Sequence, residues 1–316
     1  AGSSPPPFLR DELVRSAPMR HVFALSPFRG KSQGSGRKES AGDHVAAVLS
    51  AVARSSALVN AVKRSKLDVL RRVGALKASD RPEDVQKVYN EVAEVIKPKI
   101  TRFEGMSTMD LLRNVLAIGA KEGADQIFDE CMRAEWRTHK QCTSSGCNFV
   151  LDESESLECW PLHGLSRMQQ LLDTEARGLC AEPCDQCKAP HMIKAKMVDA
   201  PPKVFVVTWE KGAEIKKGDP EDSLRLHVHS TSSREDSSAQ YDLAAVVAED
   251  DNKPGEFWCY FRDQKGAACK TDGKQVIQYN PSSRYQGVTP RLALYDQGDP
   301  TPPPQQGLQA WIRPDL

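Results

Sequence analysis

Two pairs of cysteines constrain the fold of this chain more than any other feature of its sequence. Cys142 and Cys147 form a C-x4-C pair, and Cys184 and Cys187 form a C-x2-C pair further along the chain. Two short cysteine loops can close around one tetrahedral zinc ion, because each loop presents two thiolates. The spacing favours a structural zinc site, since four thiolate ligands leave no open position for a substrate. The alternative is four free thiols without a metal.

The remaining cysteines follow weaker patterns. Cys180 lies close enough in sequence to replace one of the four ligands, and His191 is a lower-ranked substitute. Four more cysteines lack ligand spacing and are expected to pack as small apolar side chains: Cys131, Cys159, Cys259 and Cys269. An odd total of nine cysteines suits a reducing compartment better than a disulfide framework. We therefore predict a cytoplasmic or nuclear protein.

Charge and hydropathy exclude two classes of partner. Lysine plus arginine and aspartate plus glutamate both total 43, so the formal net charge of the 316 residues is zero. Without a basic excess, nucleic-acid binding is not predicted. No apolar run approaches the ~20 residues of a membrane helix, and Ala1–Pro7 lacks the apolar segment of a signal peptide. We expect a protein partner, and neither nucleic acid nor membrane.

The first part of the chain has the periodicity of helices. Residues 1–42 are predicted to be irregular, with a remnant first helix over Leu9–Ala24, and residues 43–136 to be helical. Val45, Val48, Leu49 and Val52 recur at helical spacing, and Pro82 suits the first turn of a second helix. Ser107 is predicted to cap a third helix that ends at Gly119, and a last helix is predicted over Ala124–Met132.

Strand patterns replace helical ones in residues 137–298. The predicted strands are Val204–Trp209, Tyr241–Ala248, Glu256–Arg262, Gln275–Tyr279 and Arg291–Tyr295. Residues 299–316 form a proline-rich tail. Helices followed by strands predict an α+β fold.

Five segments of the strand-rich half have characteristic sequences in a fixed order. They are Pro201–Trp209 (PPKVFVVTW), Tyr241–Val247 (YDLAAVV), Gly255–Arg262 (GEFWCYFR), Ala268–Val276 (ACKTDGKQV) and Pro290–Tyr295 (PRLALY). In order and spacing they resemble the ubiquitin-specific protease (USP) family of papain-like cysteine deubiquitinases, from about Cys142 to Tyr295. The resemblance implies a helical N-terminal thumb, zinc-ribbon fingers built on the cysteine pairs, and an antiparallel β palm.

The resemblance also implies where the catalytic groups would lie. The general-base histidine of the family falls on Glu256, the acid that orients it on Asp272, and a second aspartate on Gly273. The nucleophilic cysteine belongs at the start of the first helix, which places it near Ser4. Read without the family, Glu256 suits an exposed strand position, and Asp272 suits a hairpin turn in the sequence Thr-Asp-Gly.

These replacements predict the loss of thiol-protease chemistry. A histidine can take a thiol proton near neutral pH, whereas a carboxylate with a reference pKa of about 4.3 faces a thiol at about 8.5. We therefore predict a pseudo-deubiquitinase and not an enzyme. This domain is expected to bind ubiquitin, a ubiquitin-like protein or another protein, or to serve as a scaffold subunit. The alternatives are an active cysteine deubiquitinase whose cysteine motif was lost by truncation, and a zinc-ribbon adaptor.

Overall fold

A computed structural model describes most of the chain. All described residues belong to the unit that spans Glu39–Leu316. Ser4, the predicted helix over Leu9–Ala24 and the tail from residue 299 lie outside the described residues. The described ranges are 41–63, 72–77, 80–100, 105–119, 127–162, 167–180, 182–209, 220–228, 237–263 and 265–298.

Helices dominate the described residues up to 132. The main ones are α1 (Ala41–Arg54), α2 (Ser56–Lys63), α3 (Pro82–Ile100) and α4 (Thr108–Gly119). The sequence signals for α1, α3 and α4 are confirmed. Ser107 caps α4, because its Oγ accepts a hydrogen bond from the backbone N–H of Asp110 at 3.1 Å. The helix predicted over Ala124–Met132 is described from residue 127, and it takes the form of a π-helical turn over Phe128–Met132.

The sheet is anchored to the helices at the break between α1 and α2. Ser55 and Ser56 stand at this break, and Asp296 reaches them from the last strand of the chain. The Asp296 carboxylate accepts hydrogen bonds from the Ser55 hydroxyl at 2.5 Å and from the Ser56 backbone N–H at 2.6 Å. A carboxylate at the start of α2 satisfies donors that the helix leaves free.

All strands of the described part belong to one 12-stranded sheet. The strands are β1 (Ala134–Cys142), β2 (Val150–Leu157), β3 (Trp160–Leu162), β4 (Arg177–Cys180), β5 (Met192–Ala200), β6 (Val204–Trp209), β7 (Ser223–Val228), β8 (Ser237–Asp250), β9 (Phe257–Arg262), β10 (Ala268–Thr271), β11 (Val276–Gln278) and β12 (Val288–Gln297). Hydrogen bonding orders eight of them as β11-β10-β9-β8-β7-β5-β1-β2, while β12 pairs with β6 and β8, β3 with β6, and β4 with β5. One further helix, α5 (Met168–Ala176), lies between β3 and β4.

The five predicted strands are confirmed as β6, β8, β9, β11 and β12, with small changes at their ends. Side chains alternate across a strand, and β6, β8, β9 and β12 contribute buried residues to a core on each face of the sheet. β11 is the last strand of the hydrogen-bonded order. Odd-numbered residues of β9 such as Cys259 and Phe261 pack against the helices. Tyr260, on the other face, packs in a second core with Tyr241 and Tyr295. The mixed α/β character of the prediction is therefore confirmed.

Strands begin with β1 at Ala134, and the predicted division of the chain at residue 136 stays a prediction. Among the cysteines expected in the core, Cys131, Cys259 and Cys269 are buried and Cys159 is half-buried. None of the described helices combines the length and the apolar character that crossing a membrane requires.

Candidate functional site

The four cysteines of the two pairs meet at one end of the sheet. Cys142 is the last residue of β1, Cys147 lies in the turn that follows, and Cys184 and Cys187 lie in the turn before β5. All four Sγ atoms lie within 4.8 Å of one another. The Sγ atoms of Cys142 and Cys187 are 3.4 Å apart, and those of Cys147 and Cys184 are 3.7 Å apart.

Both turns fold back tightly so that their cysteines face each other. Gly146 and Lys188 have positive φ angles of 91° and 58°, which reverse the chain inside each turn. The backbone of Cys184 exchanges two 2.8 Å hydrogen bonds with the residues that close its turn. Burial opposes ionisation of the Cys184 thiol, but backbone N–H groups of Cys187 and Gln186 point at its sulfur and lower its pKa to about 7. The turn therefore favours a thiolate.

This donor set fits a tetrahedral metal site. Zinc–sulfur bonds of about 2.3 Å place the sulfurs of a tetrahedron about 3.8 Å apart, close to the separations seen here. Cys180 packs against the group without belonging to it. His191 is exposed, and its backbone carbonyl accepts a hydrogen bond from the Thr143 hydroxyl at 2.9 Å. The four cysteines thus cluster as a possible metal site, as their spacing predicts.

Glu256 stands in the turn between β8 and β9, directly before the first residue of β9. Its side chain is partly exposed and pairs with the Lys253 ammonium, which donates a hydrogen bond to Oε2 at 3.2 Å. Its carbonyl accepts from the backbone N–H of Asp250 at 2.9 Å. The position assigned to a catalytic base therefore holds a carboxylate in a surface ion pair.

Asp272 lies in the hairpin turn between β10 and β11. Its Oδ1 accepts hydrogen bonds from the backbone N–H groups of Lys274 at 2.9 Å and Gln275 at 3.1 Å. This arrangement is an Asx turn, in which the carboxylate closes the hairpin. The carboxylates of Glu256 and Asp272 therefore have separate local partners.

Gly273 is buried against helix α1. Its φ is +86°, and a Cβ atom at this position would lie 2.5 Å from the Cβ of Ala46. Real Cβ atoms do not approach so closely, and an L residue is also strained at this φ. The position assigned to the second aspartate of the family has no room for a side chain.

We expect Gly273→Ala to destabilise the protein by about 2 kcal/mol more than Gly266→Ala, because overpacking adds to backbone strain. Gly266 is the matched control, since its φ is +81° and an added Cβ there meets nothing within 4 Å. Urea unfolding of both variants measures the difference. Equal losses would show that α1 does not press on this turn.

His44, in the first turn of α1, is half-buried and contacts the first residue of β9. It stacks on the Phe257 ring with a centroid distance of 3.7 Å and an interplanar angle of 8°, and its Nε2 lies 3.1 Å from the Thr108 hydroxyl. Burial lowers its pKa to about 4, and the nearby Glu249 carboxylate opposes this in part. Sequence reasoning missed His44, because a single histidine in a helical stretch has no pattern.

The lowered pKa of His44 predicts acid sensitivity. The unfolded state binds the proton with a pKa of about 6.5, so it takes up protons before the folded state does, and stability falls as pH drops from about 6.5 towards 4. We expect His44→Gln to remove about 2 kcal/mol of the stability difference between pH 7 and pH 4.5. Urea unfolding at both pH values measures it, with His139→Gln as the control, because the His139 side chain is 42% exposed. An unchanged pH dependence would contradict this role.

Helix α1 packs on the two strands that flank Glu256, β8 and β9. It contacts β8, β9 and α4, and its first turn reads Ala41-Gly-Asp-His44. The sequence contains no cysteine before Cys131. The predicted nucleophile position near Ser4 lies outside the described residues, so it stays a prediction.

Comparison with known proteins identifies the fold. No family model and no curated protein sequence matches the chain. Among solved structures, a chain of the SAGA Ubp8/Sgf11/Sus1/Sgf73 DUB module gives a TM-score of 0.55 at 8% identity over 86% of this chain and 71% of that chain. The same module bound to ubiquitin aldehyde gives 0.54 at 12% identity over 81% and 67%. A yeast SAGA DUB module with a mutant Sgf73 gives 0.54 at 10% identity over 83% and 68%.

The chain has a ubiquitin-hydrolase-like fold. Identities of 8–12% extend this likeness to architecture alone.

Proposed function

We propose that this chain is a pseudo-deubiquitinase, a ubiquitin-hydrolase-like domain that binds a protein partner without hydrolysing ubiquitin conjugates. The observation that carries the proposal is Glu256, a carboxylate paired with Lys253 where the family requires a histidine base. In this proposal the helices correspond to the thumb, strands β1, β2, β4 and β5 to the fingers, and the remaining strands to the palm.

A carboxylate at position 256 fails as a base for two reasons. Proton transfer from a thiol to a carboxylate is uphill by about 4 pK units, or roughly 6 kcal/mol. The carboxylate also replaces an imidazolium, so a negative charge stands where a thiolate needs a positive one. The two effects act in the same direction on any nucleophilic thiol nearby.

The helix side of the proposed site supports the same conclusion. As an alternative to the helix predicted over Leu9–Ala24, we infer that α1 occupies the place of the family's first helix, because it packs on β8 and β9. Its first turn offers Asp43 and His44 in place of a thiol. His44 does not substitute for the missing base, since its imidazole stacks on Phe257 and lies against Thr108.

Zinc would serve the fold in this proposal. Cys142, Cys147, Cys184 and Cys187 would hold it, and the ion would cross-link two turns that have little other core. Four thiolates leave zinc no open position, so it would supply structure and no reaction chemistry.

Binding is tested by titrating isotope-labelled chain with ubiquitin and by capturing partners from native extract with mass spectrometric identification. The proposal expects a stable partner, either ubiquitin or another protein, together with intact ubiquitin conjugates. Chemical shifts of the chain that change on addition of ubiquitin identify a ubiquitin reader. No shift change at millimolar ubiquitin, together with a complex captured from extract, identifies a scaffold subunit. Cleavage of conjugates by the purified chain would contradict the proposal.

A further inference from the structure

Strand β2 forms a long and regular edge of the sheet. All eight of its residues, Val150–Leu157, pair with β1 without a register shift, and no strand of the described part pairs with its other side. An edge strand presents unpaired N–H and C=O groups that can accept another strand. Proteins usually protect such an edge with charged side chains, lysine above all, with proline or with a bulge. β2 contains no lysine, proline or bulge, and its only charged side chains are acidic.

The edge is acidic. β2 carries three exposed carboxylates, and each contacts a basic side chain. Asp152 pairs with His139 and Glu153 with Lys140 on the adjacent β1, whereas Glu155 reaches Lys196 on β5, one strand further away. Lys140 is shared with a fourth carboxylate, that of Glu182, at 2.7 Å. Two lysines therefore face three carboxylates, and the fourth carboxylate, that of Asp152, faces His139. Because acidic side chains outnumber lysines here, the surroundings of β2 attract a cationic partner.

An apolar row ends at this edge. The three large hydrophobic side chains that are exposed in the described residues are Leu179 at 72%, Val150 at 46% and Ile193 at 42%. Strand pairing sets Leu179 opposite Ile193, Ile193 opposite Gln141, and Gln141 opposite Val150. Directly paired residues point to the same face of a sheet. The three side chains therefore lie in one line across β4, β5 and β2, interrupted by Gln141 of β1.

We propose that β2 binds an extended, basic segment of a partner protein by strand addition. The segment would place basic side chains opposite Asp152, Glu153 and Glu155, and apolar side chains opposite Val150 and Leu151. Read antiparallel to β2, its core is basic-polar-basic-basic-apolar-apolar. A second copy of this chain fits poorly, because pairing two β2 edges sets carboxylates against carboxylates.

Strand addition has a readout that simple charge attraction lacks. Backbone groups of an added strand point alternately towards and away from the edge. The probe is the peptide Lys-Ser-Lys-Lys-Val-Val with neutral flanks, and the reversed sequence covers parallel pairing. We expect chemical shifts of the full chain to change mainly along Val150–Leu157 and β1. Two N-methylated peptides test this alternation, one methylated at the odd-numbered residues and one at the even-numbered residues. Binding is expected to be lost in the peptide whose methyl groups face the edge (one N-methyl phase) and kept in the other.

Ser154 provides a matched pair of variants on the edge itself. It is exposed and lies between the acidic residues Glu153 and Glu155. We expect Ser154→Lys to weaken peptide binding by up to about fivefold, because the added positive charge repels the basic peptide. Ser154→Glu should keep the binding affinity or raise it. A Glu-Ser-Glu-Glu-Val-Val peptide should not bind.

Three results would overturn the proposal: no binding of either peptide direction, equal loss in both N-methyl phases, or shifts away from β2. The proposal stands apart from the loss of catalysis, because an active hydrolase with this edge would bind the same segment. A chain that cleaves ubiquitin and also binds the peptide would refute only the pseudo-deubiquitinase.

Discussion

Cys184→Ser is expected to eliminate zinc binding and to unfold the cysteine-bearing end of the sheet. Cys184 is fully buried, and two backbone N–H groups point at its sulfur, so a serine hydroxyl cannot replace it as a thiolate ligand. Structural zinc contributes on the order of 10 kcal/mol to the folding of small domains. The apolar neighbours of the four sulfurs are few, including Met192, Phe149 and Ala189, so packing alone offsets little of that loss.

Metal content and thermal unfolding measure this effect. The purified chain should carry about one zinc ion, as expected for a four-thiolate site, whereas Cys184→Ser should carry almost none. Cys180→Ser is the matched control, because Cys180 packs beside the group without joining it. Retained zinc in Cys184→Ser, or lost zinc in Cys180→Ser, would show that the ligands are wrongly assigned.

Restoring a thiol alone is expected to leave the chain without hydrolase activity. We predict that Ser4→Cys and Asp43→Cys both remain unlabelled by a ubiquitin suicide probe. Loss of general acid–base catalysis costs about 100-fold to 10,000-fold, and the carboxylate of Glu256 also disfavours a thiolate. Labelling is read by mass spectrometry against an active deubiquitinase under the same conditions.

Either variant could fail for a trivial reason if the substitution disturbed folding. Urea unfolding and the metal content of each variant therefore accompany the labelling. A well-folded variant that is labelled as fast as the active control would contradict the role assigned to Glu256.

Local patterns explain which elements could be predicted. The apolar runs of β6 and β8, Pro82 in the first turn of α3 and the Ser107 cap of α4 are encoded by neighbouring residues, so they are visible in the sequence. In contrast, β2 has the sequence VLDESESL and six of its eight residues exposed. Such a strand is stabilised by pairing with β1 and by cross-strand ion pairs, neither of which a sequence window contains.

The same distinction separates the two parts of the candidate site. The cysteine cluster was predictable, because each pair of ligands sits in one short turn and the spacing reports the geometry. The packing of His44 on Phe257, and of Ala46 on Gly273, joins residues that lie more than 200 positions apart in the sequence. Only the docking of α1 on the sheet brings them together. The sequence left two roles open for Asp272, a turn residue or the acid of the family, and its hydrogen bonds in the Asx turn support the turn role.

Turnover of a fluorogenic ubiquitin C-terminal substrate by the purified, zinc-loaded chain decides whether the domain has lost catalysis. We expect a rate equal to the buffer control, with no ubiquitin adduct in the intact mass after incubation with the suicide probe. Turnover that thiol alkylation abolishes, with an adduct mapped to one cysteine of the chain, would contradict it.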